Sequence, residues 1–386
     1  MKMIKMALLA GAALAVTAAG AQADDLTALK AQIESLNARL AAVEAAPSVP
    51  AGYQLLTISE GSDIAIPGLA ETDPSYSKKA TVISVMPTAD APAATEITWS
   101  GFARAAIVYT DDGTDSDIDV GGRAEIKVKG KTDTAVGEVG ALVKLRAQHR
   151  DFDVGIFAAG GAGAFTSPEY WGWWAMTPEL TLGGGFSGSL GNIGYGYDGA
   201  CNCYYTDNAD VAMNPGDVTQ MRLTYASGPF TAAIALEDGD NGAGLTDGLG
   251  VAGEIKYAGD TMNGEVSGYS RQMSGAPDDI WGVGAGIGFA FDPVNLSMGA
   301  QMGHNAAGDD FWVASILGSV SLSDEIHAEV AFGHKSFDVA ADVNAFLAGI
   351  YYDPVAQLTI GLEGEVAKAK GGDSNVMVDL VTVFRF

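Results

Sequence analysis

The chain has 386 residues with a formal net charge of −27, 48% hydrophobic and 9% aromatic residues, 51 glycines and two cysteines. Such an acidic balance excludes nucleic acid as a partner, because neutralising phosphates takes clustered Lys and Arg. So much apolar surface excludes wholesale disorder, and two cysteines exclude a disulfide framework.

Residues 1–23 read as a secretory signal. Lys2 and Lys5 precede an apolar run from Met6 to Ala19, and Ala21-Gln22-Ala23 forms a small-x-small cleavage site, so the mature chain is expected to begin near Asp24. The run is shorter than the roughly 20 residues a spanning helix needs, and no later stretch approaches that length.

Residues 24–46 predict a helix. Leu26, Leu29, Ile33, Leu36, Leu40 and Val43 fall at alternating spacings of three and four, a two-position heptad seam. So narrow a seam either pairs with copies of itself or lies along another surface. From 47 to 94 the chain is punctuated by Pro47, Pro50, Pro67, Pro74, Pro87 and Pro92. The segment reads as a linker that is either a tether or partly folded against its neighbour.

From Thr95 onward the pattern changes to short segments in which apolar residues alternate with polar ones or glycine. Sixteen begin near Ile97, Arg123, Val136, Tyr170, Leu180, Gln220, Phe230, Val251, Met262, Ile280, Val294, Phe311, Ile326, Asn344, Ala356 and Asn375. Tight connections such as Asp292-Pro293 and Asp353-Pro354 alternate with longer polar ones at 111–119, 150–169, 186–219, 238–249, 273–278, 304–310, 338–343 and 369–373. That rhythm predicts an antiparallel transmembrane barrel over 95–386, with short turns at one end and long loops at the other. In the first strand, Trp99, Ala103, Ala105, Ile107 and Tyr109 share one face with aromatics at both ends, as a lipid-facing side between two interfaces requires. In the last, Val376, Val378, Leu380, Thr382, Phe384 and Phe386 share a face, while Asp379 and Arg385 lie on the other.

Phasing each strand by its apolar residues sends Arg104, Arg123, Lys127, Lys129, Lys144, Arg146 and Arg222 to the interior as a basic wall. Glu237, Glu254, Glu265, Glu329, Glu363 and Glu365 are sent there from later strands. The longest connection, 186–219, holds Asp198, Asp207, Asp210 and Asp217, together with Tyr195, Tyr197, Tyr204 and Tyr205, and has no Lys or Arg. Charge on facing walls would set a transverse field that orients polar solutes.

Cys201 and Cys203 in that loop form either a strained local disulfide, two thiols or, with further ligands, part of a metal site. Asp111, Asp112, Asp115, Asp117 and Asp119 lack the ligand order of a calcium loop and read as a solvated acidic connection, or as a bridge through a divalent cation to lipopolysaccharide phosphates. No other cofactor is implied. The four histidines form no motif, and no serine sits in a nucleophile elbow, so the sequence nominates no catalytic residue.

Together the signal peptide, the sixteen segments, the long third loop and the terminal Phe386 resemble the general diffusion porins of bacterial outer membranes. Ser100-Gly101-Phe102-Ala103-Arg104 is similar to the opening strand of the alphaproteobacterial type, which also carries an N-terminal heptad segment. The resemblance implies an all-β fold: a sixteen-stranded barrel preceded by a short coiled-coil helix in the periplasm, a third loop folded inward as a constriction, and a terminal Phe that serves as an assembly signal. It also implies a homotrimer in outer-membrane lipid and lipopolysaccharide, passing small hydrophilic solutes and ions. The net charge leans toward cations. A channel selective for a sugar, phosphate or other anion, and a structural surface protein, are the competing expectations.

Overall fold

The computed structural model describes residues 56–70, 73–85, 95–149, 164–191, 193, 197, 204, 216–239, 248–272 and 279–386. The predicted heptad helix lies outside them, and among the described residues no helix is long and apolar enough to cross a membrane. The elements are β1 (Leu56–Ser62), β2 (Lys79–Val85), β3 (Thr95–Asp111), β4 (Ser116–Thr134), β5 (Gly137–His149), β6 (Ala164–Thr166), β7 (Tyr170–Ala175), β8 (Leu180–Gly188), β9 (Asp217–Ser227) and β10 (Phe230–Asp238). They continue as β11 (Leu249–Ala258), β12 (Met262–Arg271), β13 (Ile280–Phe291), β14 (Val294–His304), β15 (Asp310–Ser321), β16 (Ile326–Phe337), β17 (Val343–Val355), β18 (Leu358–Ala369) and β19 (Ser374–Arg385).

From β3 onward each strand pairs antiparallel with the next, and β19 returns to β3 with Val376 opposite Asp111 and Arg385 opposite Phe102. The sheet therefore closes and leaves no edge, the condition for crossing a bilayer with strands. β6 and β7 both pair with β5. The register slips by one between Arg146↔Thr166 and Val143↔Tyr170, so the two are one barrel strand broken by a bulge. Counted that way, the closed circuit has sixteen strands.

The seam is fastened by the last residue. Phe386 donates its N–H to the Gly101 carbonyl and accepts the Gly101 N–H on its own, both at 3.0 Å. Its ring lies over Gly101, where a Cβ would come within 2.4 Å of it. A residue without a side chain is what lets the terminal aromatic cover the closure.

Sidedness is inverted relative to a water-soluble protein. Along β9, Met221 is 61% exposed and Leu223 and Tyr225 also face out, whereas Arg222 is 4% exposed between the buried Gln220 and Thr224. The same period-two pattern places Ile107, Ile234, Val266, Phe332 and Leu380 outside and Arg104, Glu237, Glu265, Glu329 and Asp379 inside. An apolar exterior of this extent is stable only against hydrocarbon.

Connections at one end are short: 135–136, 176–179, 228–229, 259–261, 292–293, 322–325 and 356–357. At the other end the connections 150–163, 189–216, 239–248 and 272–279 are longer, whereas the first and those late in the chain, 305–309, 338–342 and 370–373, are short. The stretch 111–119 is mostly strand, with only 112–115 forming the turn. Polar residues beyond the membrane do not stop a ladder from continuing, because the hairpin hydrogen bonds are as available in water.

β1 pairs with β2, and the described residues between them, 63–70 and 73–78, do not run along the outside. They enter the barrel.

Candidate functional site: the occupied lumen

The inner wall of β3, β4, β5 and β9 carries the seven basic side chains. Arg104, Arg123, Lys127, Lys129 and Arg222 are buried, and Lys144 and Arg146 are half-buried. Most of them are engaged by the segment between β1 and β2. Asp63 accepts from Lys127 at 2.8 Å and Lys129 at 2.9 Å, and its other carboxylate oxygen accepts the Thr98 hydroxyl at 2.8 Å. Asp73 stands 3.7 Å from Arg104 and 4.0 Å from Arg123.

Between and beside these carboxylates the segment makes neutral contacts. Lys129 also donates to the Ile64 carbonyl, Arg104 to the Ser75 hydroxyl, and Arg222 to the Gly68 carbonyl at 2.7 Å. Gly68 has a φ of 72°, and a Cβ there would meet Thr224, so glycine is required at that crossing. Lys127 lies 4.1 Å and Lys144 5.2 Å from the centre of the Tyr76 ring. Arg146 instead takes Glu125, at 2.5 Å, which also accepts the Tyr76 hydroxyl.

Apolar residues anchor the same segment. Ile64 and Ile66 pack with Leu142, Trp171 and Trp173 beneath β5 and β7, and Tyr76 meets Phe102 edge-on at 5.0 Å. Burial alone would raise the carboxyl pKa of both acids. The Lys127 and Lys129 hydrogen bonds and charges reverse this for Asp63, and for Asp73 the Arg104 charge, the Ser75 N–H and the Arg123 charge do so. Both are held below the ordinary carboxylate range and stay charged.

Described residues of the third loop, among them Ser189, Leu190, Tyr197 and Tyr204, lie against the acidic half. Ser189 and the Leu190 N–H donate to Glu237, which also takes Arg271 at 2.7 Å. Leu190 packs with Ala233, Ala235, Ala252, Tyr269 and Ile280. Further along, the Tyr197 side chain sits where a Cβ on Gly286 would go, its backbone presses on Gly299, and its carbonyl accepts the Ser315 hydroxyl. Tyr204 donates its N–H to Glu363 at 2.7 Å and meets Tyr351 edge-on. The loop thus turns inward, and glycines in β13 and β14 make room for it.

The two inward segments meet at Arg385. Its guanidinium donates to the carbonyls of Pro74 and Ser75 on one side and to the Tyr204 hydroxyl at 2.7 Å on the other, with Thr359 beneath.

Asp198, Asp207, Asp210, Cys201 and Cys203 lie outside the described residues, whereas Asp217 is exposed at the start of β9. Among the described residues the acids against the basic wall include Asp63 and Asp73, with Glu125 and Glu169 from the barrel itself and Asp217 near Lys144 and Arg146. Apart from Asp217, sequence reasoning did not single these out, nor Arg271 and the bridging role of Arg385. Asp111 and Asp112 cap their own turn, accepting the N–H groups of Gly113, Thr114 and Asp115. Among the described residues no three acidic, His or Cys side chains converge as metal ligands.

A closed, apolar-sided barrel with a charged interior has the architecture of a strand-built membrane span. The Gram-negative porin family model matches residues 176–340. That match spans less than half of the chain, and over the barrel the likeness to porins of known structure is one of fold.

An anion-selective porin from Comamonas acidovorans superposes with a TM-score of 0.59 at 12% identity, covering 76% of this chain and all of that one. A substituted porin from Rh. blastica gives 0.55 at 16% identity, with 75% and 100% covered. The OmpF porin of Salmonella typhi, in complex with daunomycin, gives 0.57 at 12% identity, with 75% and 98% covered. No curated protein matches the chain in sequence.

Proposed function

We propose that this protein is an outer-membrane channel through which small hydrophilic solutes and ions diffuse passively. The carrying observation is the inverted sidedness of a closed barrel, with Met221, Leu223 and Tyr225 turned out and Arg222 and its neighbours turned in. Strands of this kind satisfy every backbone group while keeping a polar passage through the bilayer.

The short-turn end belongs in the periplasm, together with residues 24–46. The chain works as a homotrimer of the alphaproteobacterial type, embedded in outer-membrane lipid and lipopolysaccharide, with Phe386 as its assembly signal. The heptad seam over 24–46, too narrow to build a core by itself, supports this assembly. The seven basic residues line the passage, and the third loop narrows it.

Proteoliposome swelling tests the reading. Uncharged sugars of increasing size should enter at rates that fall steeply with size and do not saturate. Saturation at low concentration would favour a substrate-selective channel, and absence of swelling would contradict a channel of any kind.

A further inference from the structure

We propose that residues 63–70 and 73–76 form a second constriction of this pore, with Asp63 and Asp73 as the residues that set its charge selectivity. The inference rests on the channel reading and deepens it. It starts from position: Thr98 and Lys129, which flank Asp63, lie near the short-turn end of β3 and β4, while Arg104 and Arg123, beside Asp73, lie at mid-strand. Six residues of tilted strand separate the two levels, a rise of roughly 15 Å. The segment therefore enters from the short-turn end and reaches about the middle of the barrel.

Charge is the second step. Stripped of this segment, the wall of β3, β4 and β5 would present Arg104, Arg123, Lys127 and Lys129 to water, with Lys144 held by Glu169, between β6 and β7, and Arg146 by Glu125 of β4. A pore rimmed by that set would concentrate anions. Asp63 and Asp73 place a carboxylate between each pair of cations, and across the lumen Glu254 and Glu265 share the single Lys256 while Glu329 and Glu365 add two more carboxylates, so the passage is biased toward cations.

Attachment is the third. Ion pairs, four backbone carbonyls donated to by Lys129, Arg222 and Arg385, and the packing of Ile64, Ile66 and Tyr76 fix the segment along the wall. Its contacts are those of a fitted part rather than a tether. The barrel's backbone ladder closes without it, so its removal would let water solvate the exposed cations while the strands remain paired.

The test is single-channel recording in planar bilayers, with reversal potentials in a salt gradient, on three proteins: the full chain, Asp63→Asn with Asp73→Asn, and a chain in which 63–76 is replaced by a short Gly-Ser turn. Heat-modifiable gel migration reports whether each barrel is folded. The full chain should prefer cations, and the double substitution should move the reversal potential toward anions at little change in conductance. The replacement should move it the same way and raise conductance roughly twofold.

Steps from the replacement alone, with the full chain silent, would also support control by this segment. Folded variants with the conductance and reversal potential of the full chain would overturn it while leaving the channel reading intact. Silence from all three would remove both. Should the replacement not fold, the double substitution decides by reversal potential.

Discussion

At the scale of single residues, the interior is organised by carboxylates that a reading of the sequence takes for ordinary surface acids. Asp63 and Asp73 sit in a proline-punctuated stretch with no periodicity, so nothing local marks them as different from the exposed Glu60. Their role comes from partners 31 or more residues away in β3 and β4, which pattern arguments confined to a window cannot see. Lys127 and Lys129, by contrast, were legible as inward-facing because the alternating Ile126 and Val128 fix the phase of β4.

The same ion pairs give a pH prediction. Asp63 faces Lys127, Lys129 and Thr98, and its pKa in the folded protein is depressed. Its contribution is complete above the unfolded carboxyl pKa near 3.9 and is lost as pH falls through the lower folded value. Charge selectivity should therefore be flat from about pH 8 to pH 5 and should shift toward anions only below about pH 4, in reversal-potential titrations. A shift centred near pH 6 would show that other groups set it.

At the scale of elements, the strands were largely legible and the connections less so. Starts near Tyr170, Leu180, Phe230, Met262, Ile280, Val294 and Ile326 coincide with the observed ones because alternation and turn residues act within a few positions. The hairpin of β3 and β4 extends further than expected, through Asp117 and Asp119, since acidity outside the membrane does not interrupt pairing. The infolding of the third loop depends on Gly284, Gly286 and Gly299, which a strand reading registers only as weak formers.

Arg385 is the clasp between the third loop and the N-terminal segment, so Arg385→Gln should loosen both without removing either. The expected result is greater open-channel current noise at nearly unchanged mean conductance. A quiet channel with the same noise spectrum would show that the two segments are held independently.

At the scale of the whole barrel, the chain solves one problem: how to hide the backbone of many strands in hydrocarbon while keeping charges in the middle. Closure of β19 on β3 satisfies the ladder, and the period-two inversion of polarity sorts side chains between lipid and lumen. Spin labels along β9 test this sorting most directly. Labels are placed one at a time at 220, 221, 223, 224 and 225 in a reconstituted protein with Cys201 and Cys203 replaced by Ser. Molecular oxygen, which dissolves in the bilayer, should collide often with labels at 221, 223 and 225 and rarely at 220 and 224. Collision rates that are uniformly low, or that lack the two-residue period, would contradict a membrane-spanning barrel.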